Sequence, residues 1–245
     1  MARTAIQLYT LRGIDQPLPD VLRAVGETSF DAVEFAHRVG DADLKAVVEA
    51  LEETDLEVAA AHVGLDRLES EHEETTAFYA ELGCTDLVVP WLDPSNFESE
   101  EAVGAVAERL NQTAAALDGR GFCLHYHNHD QEFVDCGDRT AVDELLERTD
   151  DSIGFEIDLG WANAAGGDPV DLFDRYGDRI THVHFADADS ESMSCVELGE
   201  GDLDLDACVE AAHDASIEWH IYEHDEPTNP HESLLYGAQT LDSFR

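Results

Sequence analysis

Short runs rich in Val, Ile, Leu and Phe alternate along this chain with longer stretches whose apolar residues recur every three or four positions. The short runs fall at residues 4–9, 32–36, 57–62, 86–90, 123–128, 153–158, 180–185 and 218–223 and read as strands. The longer stretches read as amphipathic helices at 19–28, 41–53, 71–82, 100–117, 138–148, 169–176, 203–215 and from about residue 230. Val21, Leu22 and Val25 share one helical face, as do Leu44, Val47, Val48 and Leu51. Gly83 and Gly121 stand where helices stop, and Pro169 stands in a first helical turn. Strict alternation of strand and helix implies a parallel sheet. Eight pairs in 245 residues, about 31 residues each, imply closure into a (β/α)8 TIM barrel of the α/β class. No linker or composition shift breaks the chain, so residues 1–245 are expected to form a single domain. An open doubly wound sheet is the competing fold, but no Gly-x-Gly-x-x-Gly follows the first strand.

Polar residues fall at the ends of these strands. The second carries Glu34 and the third His62. The fifth leads through His125, His127 and His129 to Glu132, the sixth ends in Asp158, the seventh in His184 and the eighth in Glu223. In a parallel barrel the C-terminal strand ends open on one face, so side chains from separate units converge there. His125, His127 and His129 alternate, so they share one side of their strand. So do Glu156 and Asp158, and likewise His182 and His184. Hydrogen-bonded core packing would account for any one of these histidines. Three together beside Glu132 point to a metal or proton-transfer site. Oxygen and imidazole donors without thiolate suit Mn²⁺, Mg²⁺, Co²⁺ or Zn²⁺. Carboxylates packed together without a cation would raise one another's pKa values, a penalty that a divalent ion removes.

Charge changes the picture of the surface. Thirteen basic residues face 56 acidic ones, a formal net charge of −43, and Lys45 is the sole lysine. The acidity is spread over 52–53, 69–74, 98–101 and 202–206 rather than gathered in one tail. Such a surface repels itself in dilute salt and is screened near 1 M. This resembles the composition of proteins from salt-in halophiles. Strong acidity argues against nucleic acid or an anionic membrane as partner, though halophile acidity weakens that argument for nucleic acid. No apolar run is long enough to span a membrane. The N-terminus enters the first strand pattern without an apolar leader segment, so a secretory signal is not expected. The five cysteines are odd in number and widely spaced, without Cys-x-x-Cys, which argues against disulfides and a cysteine-based zinc site. Cys84 and Cys123 are expected to be buried packing residues, and the expected compartment is a reducing cytoplasm.

Several segments carry a resemblance that spans essentially the whole chain. Gln7-Leu-Tyr-Thr-Leu-Arg12, Ala32-Val-Glu-Phe35, Tyr126-His-Asn-His129 with Glu132-Phe133, Glu156-Ile-Asp-Leu-Gly-Trp161, and His182-Val-His184 with Asp187 resemble the sugar phosphate isomerase/epimerase family of xylose isomerase-like barrels. The resemblance implies one divalent metal ion held by Asp158, His184, Glu223 and a strand-five ligand. Glu132 is the expected strand-five ligand, with His125 and His127 as alternatives. Three positions depart from relatives: His125 stands where many carry a glutamate, Ala186 where a lysine is common, and His224 where a glutamine is common.

The implied reaction is proton abstraction α to a carbonyl on a sugar or polyol. The metal polarises the carbonyl and a carboxylate or histidine moves the proton. Glu34, His62, His127 and Glu132 are the candidate acid/base groups; Arg12, His129 and Trp161 are candidate substrate contacts. Isomerase or epimerase activity is the first expectation. An inosose- or dehydroshikimate-type dehydratase is the alternative, and an endonuclease-like DNA-repair barrel ranks well below both. A phosphate subsite is not supported, because no Gly-rich loop follows the seventh strand and only Arg12 and Arg38 lie near strand ends. The partner expected is a small sugar or polyol, and a homo-oligomer stays open.

Overall fold

The computed structural model describes residues 2–245. Eight strands form one closed parallel barrel: β1 (Arg3–Gln7), β2 (Ala32–Phe35), β3 (Glu57–His62), β4 (Asp86–Val89), β5 (Cys123–His127), β6 (Ile153–Asp158), β7 (Ile180–Phe185) and β8 (Trp219–Tyr222). Each pairs with its sequence neighbours in the barrel, and β8 closes on β1 with Arg3 opposite Trp219 and Ile6 opposite Tyr222. The expected strands lie within two residues of these bounds at every end.

Helices α1 (Leu18–Gly26), α2 (Leu44–Thr54), α3 (Leu65–Glu81), α4 (Glu100–Asp118), α5 (Ala141–Arg148), α6 (Leu159–Ala164), α7 (Pro169–Tyr176), α8 (Leu205–Asp214) and α9 (Pro230–Asp242) follow in order. Their apolar stripes pack on the outside of the sheet, Val21, Leu22 and Val25 from α1 and Val103, Val106 and Leu110 from α4 among them. Acidic and polar residues supply the helix starts. Asp43 accepts from the backbone N–H groups of Lys45 and Ala46, and Asp168 from those of Val170 and Asp171. Thr140 and Asp143 form a reciprocal capping box. Gly83 and Gly121 follow helix ends with φ of 74° and 79°, a conformation glycine adopts without steric cost.

Three features differ from the periodicity reading. Helix α3 starts at Leu65, and a break at Glu71 (φ −131°, ψ 25°) separates its first turns from the segment that the pattern marks. The short helix α6 follows β6 directly, started by Asp158 as its cap. Cys123 is exposed at the start of β5, whereas Cys84 is buried as expected. No helix among the described residues is long and apolar enough to cross a membrane.

The barrel interior is split along its axis. Ala5, Ala32, Ala59, Trp219 and Ile221 fill the N-terminal end as an apolar cluster separate from the core between sheet and helices. Next to them His125 bonds Asp86 (Nε2 to Oδ1, 2.8 Å) and Thr181 (3.0 Å), with the His182 ring 4.7 Å away. Gly154 faces this layer; a Cβ there would lie 2.2 Å from His125 Nδ1, so the imidazole occupies the space that a side chain would need. The C-terminal half is filled by ionisable side chains.

Candidate active site

The C-terminal strand ends surround a cavity of about 600 Å³. His62, His127, His129 and Glu223 line its floor side. Tyr9, Trp91, Trp161 and Met193 give it apolar walls, and Arg12, His37, Asp225 and Glu226 complete a polar rim.

His127, Asp158, His184 and Glu223 come from four different strands or strand ends, and one donor atom of each lies within 4.8 Å of the others. His184 Nδ1 is 2.7 Å from Glu223 Oε2 and 4.0 Å from Asp158 Oδ2. The sequence builds this arrangement locally. Asn128, just past β5, accepts from the backbone N–H of Asp158 (3.0 Å) and donates to its carbonyl (3.3 Å), tying the ends of β5 and β6 together. Asp158 then uses Oδ1 to cap α6 at Trp161 N (2.7 Å), which leaves Oδ2 turned to His184.

Beneath this group lies a second set. Glu34 Oε2 is 2.7 Å from His184 Nε2, and Gln7 donates to the same oxygen at 2.6 Å. Glu156 Oε1 has His62 Nε2 at 2.9 Å, His127 Nδ1 at 3.0 Å and His184 Nε2 at 3.1 Å. Glu34, Glu156 and His184 are fully buried. Burial would raise Glu156, but His184 and His62 hold its carboxyl well below the usual range. Burial and the adjacent Glu156 push Glu34 up to about 7. Burial would lower His62 and His184, but the carboxylates around them raise both. His127 and His129 go the other way, to about 3, because burial dominates there.

These donors fit a divalent cation. Among the described residues, no lysine or arginine forms an ion pair with Glu34, Glu156, Asp158 or Glu223. Burial, followed by the charge of Glu223, drives the Asp158 carboxyl well above its ordinary range, opposed by His184. A cation held by imidazole nitrogens and carboxylate oxygens relieves that cost, and the absence of thiolate matches a hard or borderline ion.

The expected site residues distribute unevenly. Glu34, His62, His127, Asp158, His184 and Glu223 converge, and Arg12, His129 and Trp161 line the cavity above them. Glu132 does not join the donor group. Tyr126 Oη donates to its Oε1 at 2.6 Å and the His129 backbone N–H to its Oε2 at 2.8 Å, so both oxygens are engaged and the carboxyl is buried behind β5. The strand-five position in the group is taken by His127. His125 lies one layer deeper, against Asp86. Arg38 turns away and donates to the carbonyls of Ile14 and Gln16. Residues outside the expected set also matter. Glu156 was readable, since it alternates with Asp158, and Asp225 follows Glu223 by two on the same strand end. Cys195 enters the cavity from a ribbon in the loop after β7, which no periodicity marks.

The chain matches the xylose isomerase-like TIM barrel family over residues 22–244 and belongs to it. It is similar to an inosose dehydratase of Clostridium perfringens, 24% identical over 217 residues, covering 73% of this chain and 72% of that protein. Among solved structures it is similar to a sugar phosphate isomerase/epimerase from Parabacteroides distasonis, with a TM-score of 0.84 and 20% identity over 99% of this chain and 98% of the other. It is also similar to the IolI protein with a bound zinc atom, with a TM-score of 0.75 and 15% identity over 99% and 97% of the two chains.

Proposed function

We propose that this chain is a divalent-metal-dependent dehydratase of a cyclic polyhydroxy ketone of the inosose type. The observation that carries the reading is the group His127, Asp158, His184 and Glu223 converging at the floor of a cavity large enough for one sugar-sized ring. The likeness to inosose dehydratases favours loss of water over the isomerase or epimerase outcome that shares the same first step. The IolI neighbour holds a zinc atom, which supports a bound metal ion in a barrel of this kind, and Zn²⁺, Co²⁺, Mn²⁺ and Mg²⁺ all suit the donor set found here.

When bound by these four side chains, the ion supplies polarisation of the substrate carbonyl and so acidifies the neighbouring C–H. The protein's own groups do the rest. His62 lines the cavity while its Nε2 is held by Glu156, so Nδ1 is the ring nitrogen left to exchange a proton with substrate. It takes the proton from the carbon α to the carbonyl. The C–H electrons form the new C=C as the β C–O bond breaks, and the leaving hydroxyl takes up the proton that His62 removed and departs as water. Glu34 fixes the His184 ring through Nε2, which leaves Nδ1 facing Asp158 and Glu223. Trp161 and His129 present ring faces for the carbocycle.

The test is incubation of metal-loaded protein with a keto-inositol in D₂O, followed by mass spectrometry. Loss of one water supports the dehydratase. Deuterium uptake with unchanged carbon skeleton and no water loss returns the assignment to an epimerase or isomerase. Neither change on any cyclic or open-chain ketose tested removes the proton-transfer reading.

A further inference from the structure

Asp225 belongs to none of the donor groups, yet it is fixed more firmly than a rim residue needs. Its Oδ2 accepts from Trp161 Nε1 at 3.3 Å and from the Cys195 thiol at 3.2 Å. These partners come from α6 and from the ribbon in which Asp187–Asp189 pairs with Ser194–Val196. The ribbon is itself anchored. Buried Asp187 accepts from the backbone N–H groups of Ala188, Gly199, Gly201 and Leu203 at 2.9 to 3.3 Å. With Oδ2 held from two sides, the carboxylate plane is set, and among the described residues Oδ1 has no hydrogen-bond partner. Asp225 lines the cavity beside Glu226 and Glu223. The cationic Arg12 is engaged with Tyr9, its guanidinium 3.9 Å from the ring centroid and one N–H on the Tyr9 carbonyl at 3.1 Å.

We propose that Asp225 is a specificity-determining residue whose free Oδ1 accepts a hydrogen bond from a substrate hydroxyl, so that the cavity selects an uncharged polyhydroxylated ring and rejects a ring bearing a carboxylate at that position. An acceptor oxygen pairs with a hydroxyl, which brings a proton, and finds no hydrogen bond with a ligand carboxylate oxygen, which is an acceptor as well. A site built to bond a hydroxyl discriminates strongly against a ligand that leaves it unpaired. This inference rests on the dehydratase reading for its turnover arm and stands alone for its binding arm.

The experiment compares a keto-inositol with dehydroshikimate as substrates and uses myo-inositol as an unreactive neutral probe in thermal-shift titrations. For the wild type, kcat/KM for the neutral ring is expected to exceed that for the carboxylated ring by at least about 100-fold. Asp225→Asn should lose about tenfold or more for the neutral ring, mainly in KM, and should narrow the gap to the carboxylated ring. Cys195→Ala should show a smaller loss of the same kind, and Cys195→Ser should restore it. Both rings turned over equally well by the wild type, or an unchanged KM in Asp225→Asn with unchanged fold by circular dichroism, would overturn the proposal. If neither ring is turned over, the dehydratase reading fails while binding remains decisive: a myo-inositol shift present in wild type and lost in Asp225→Asn supports Asp225 as the hydroxyl contact, and equal shifts in both overturn it.

Discussion

The two ends of this barrel solve the same packing problem with opposite chemistry. At the N-terminal end, Ala5, Ala32, Ala59, Trp219 and Ile221 close the interior with apolar atoms. At the C-terminal end, Gln7, Glu34, His62, His127, Glu156 and His184 occupy the equivalent space, most of them fully buried. Two histidines show what the difference does. His184, ringed by Glu34, Glu156 and Glu223, is raised well above an ordinary imidazole despite its burial. His220, on the outer side of β8 near the N-terminal end, has aromatic rings for neighbours and falls to about 4. One end stabilises the fold by excluding water, whereas the other carries buried charge that is useful only if something charged or protonated arrives to complete it.

The largest expected effect comes from the surface that both ends share. A net charge of −43 over 245 residues repels itself when the Debye length is ~10 Å and much less when it is ~3 Å. Each like-charge pair on neighbouring helix turns costs a few tenths of a kcal/mol, and dozens together rival a stability of ~5–15 kcal/mol. Thermal melts between ~0.1 and ~2 M KCl should therefore show a rise on the order of 10 °C or more, at ~2–4 °C per kcal/mol for a chain of this size. Metal affinity, measured by competition with a chelator, should move far less, because buried pairs are poorly screened. A flat or falling melting temperature would remove the halophile-like reading of the acidity.

Asp158→Ala and His184→Ala come next. Each deletes a donor from the group, so each should weaken metal binding by more than the ~10- to 100-fold that loss of an outer hydrogen-bond partner costs. The barrel should stay folded, because the apolar end and the outer helices are untouched. Elemental analysis after desalting reads the result, and undiminished stoichiometric metal in both variants would sink the site assignment.

How much of this contrast was visible beforehand depends on the kind of signal. The fold was legible because strand and helix periods repeat eight times with few interruptions, and a period survives substitution at single positions. Glu34, His62, Asp158, His184 and Glu223 were legible because strand ends in a parallel barrel face one opening. Glu132 lies outside the donor group because three residues of 3₁₀ turn fold its side chain back onto Tyr126 and the His129 N–H, a local hydrogen-bond choice that spacing does not encode. The ribbon that brings Cys195 to Asp225 was hidden for a different reason. It is held by one buried carboxylate on four backbone donors, and backbone donors leave no trace in a sequence.

Two substitutions of intermediate effect separate the ends directly. Ile221→Ala opens space in the apolar cluster and should cost about 2–5 kcal/mol in denaturant unfolding, with metal affinity unchanged. Glu34→Gln should do the reverse. It keeps the side-chain shape but removes the charge that His184 Nε2 meets, so metal affinity should fall about 10- to 100-fold with little change in unfolding midpoint of the metal-free protein. If both variants lose stability and metal together, the two ends are one cooperative unit with no division of labour between them.

The smallest effect concerns pH and the layer outside β8, away from the ionisable end. The His220 ring stacks on His213 at 5.4 Å and 15°, lies 4.8 Å from Phe185, and its Nε2 has no hydrogen-bond partner. Burial, followed by His213, lowers its pKa from 6.5 to about 4. Between those values the unfolded chain binds a proton that the folded chain refuses. The stabilisation from keeping His220 neutral is therefore complete above pH ~6.5 and is lost as pH falls toward ~4. At about 1.4 kcal/mol per unit, this one group should account for roughly 2 kcal/mol of lost stability at pH 5. His220→Phe has no proton to bind and fills a similar apolar space. Urea unfolding of metal-free wild type and variant at pH 7 and pH 5 cancels the contribution of the many surface carboxylates, which both proteins share. The variant should gain about 2 kcal/mol on the wild type between the two pH values. Parallel pH dependence in the two proteins would mean that His220 finds a partner for its charge, and that the layer outside β8 is less apolar than its side chains suggest.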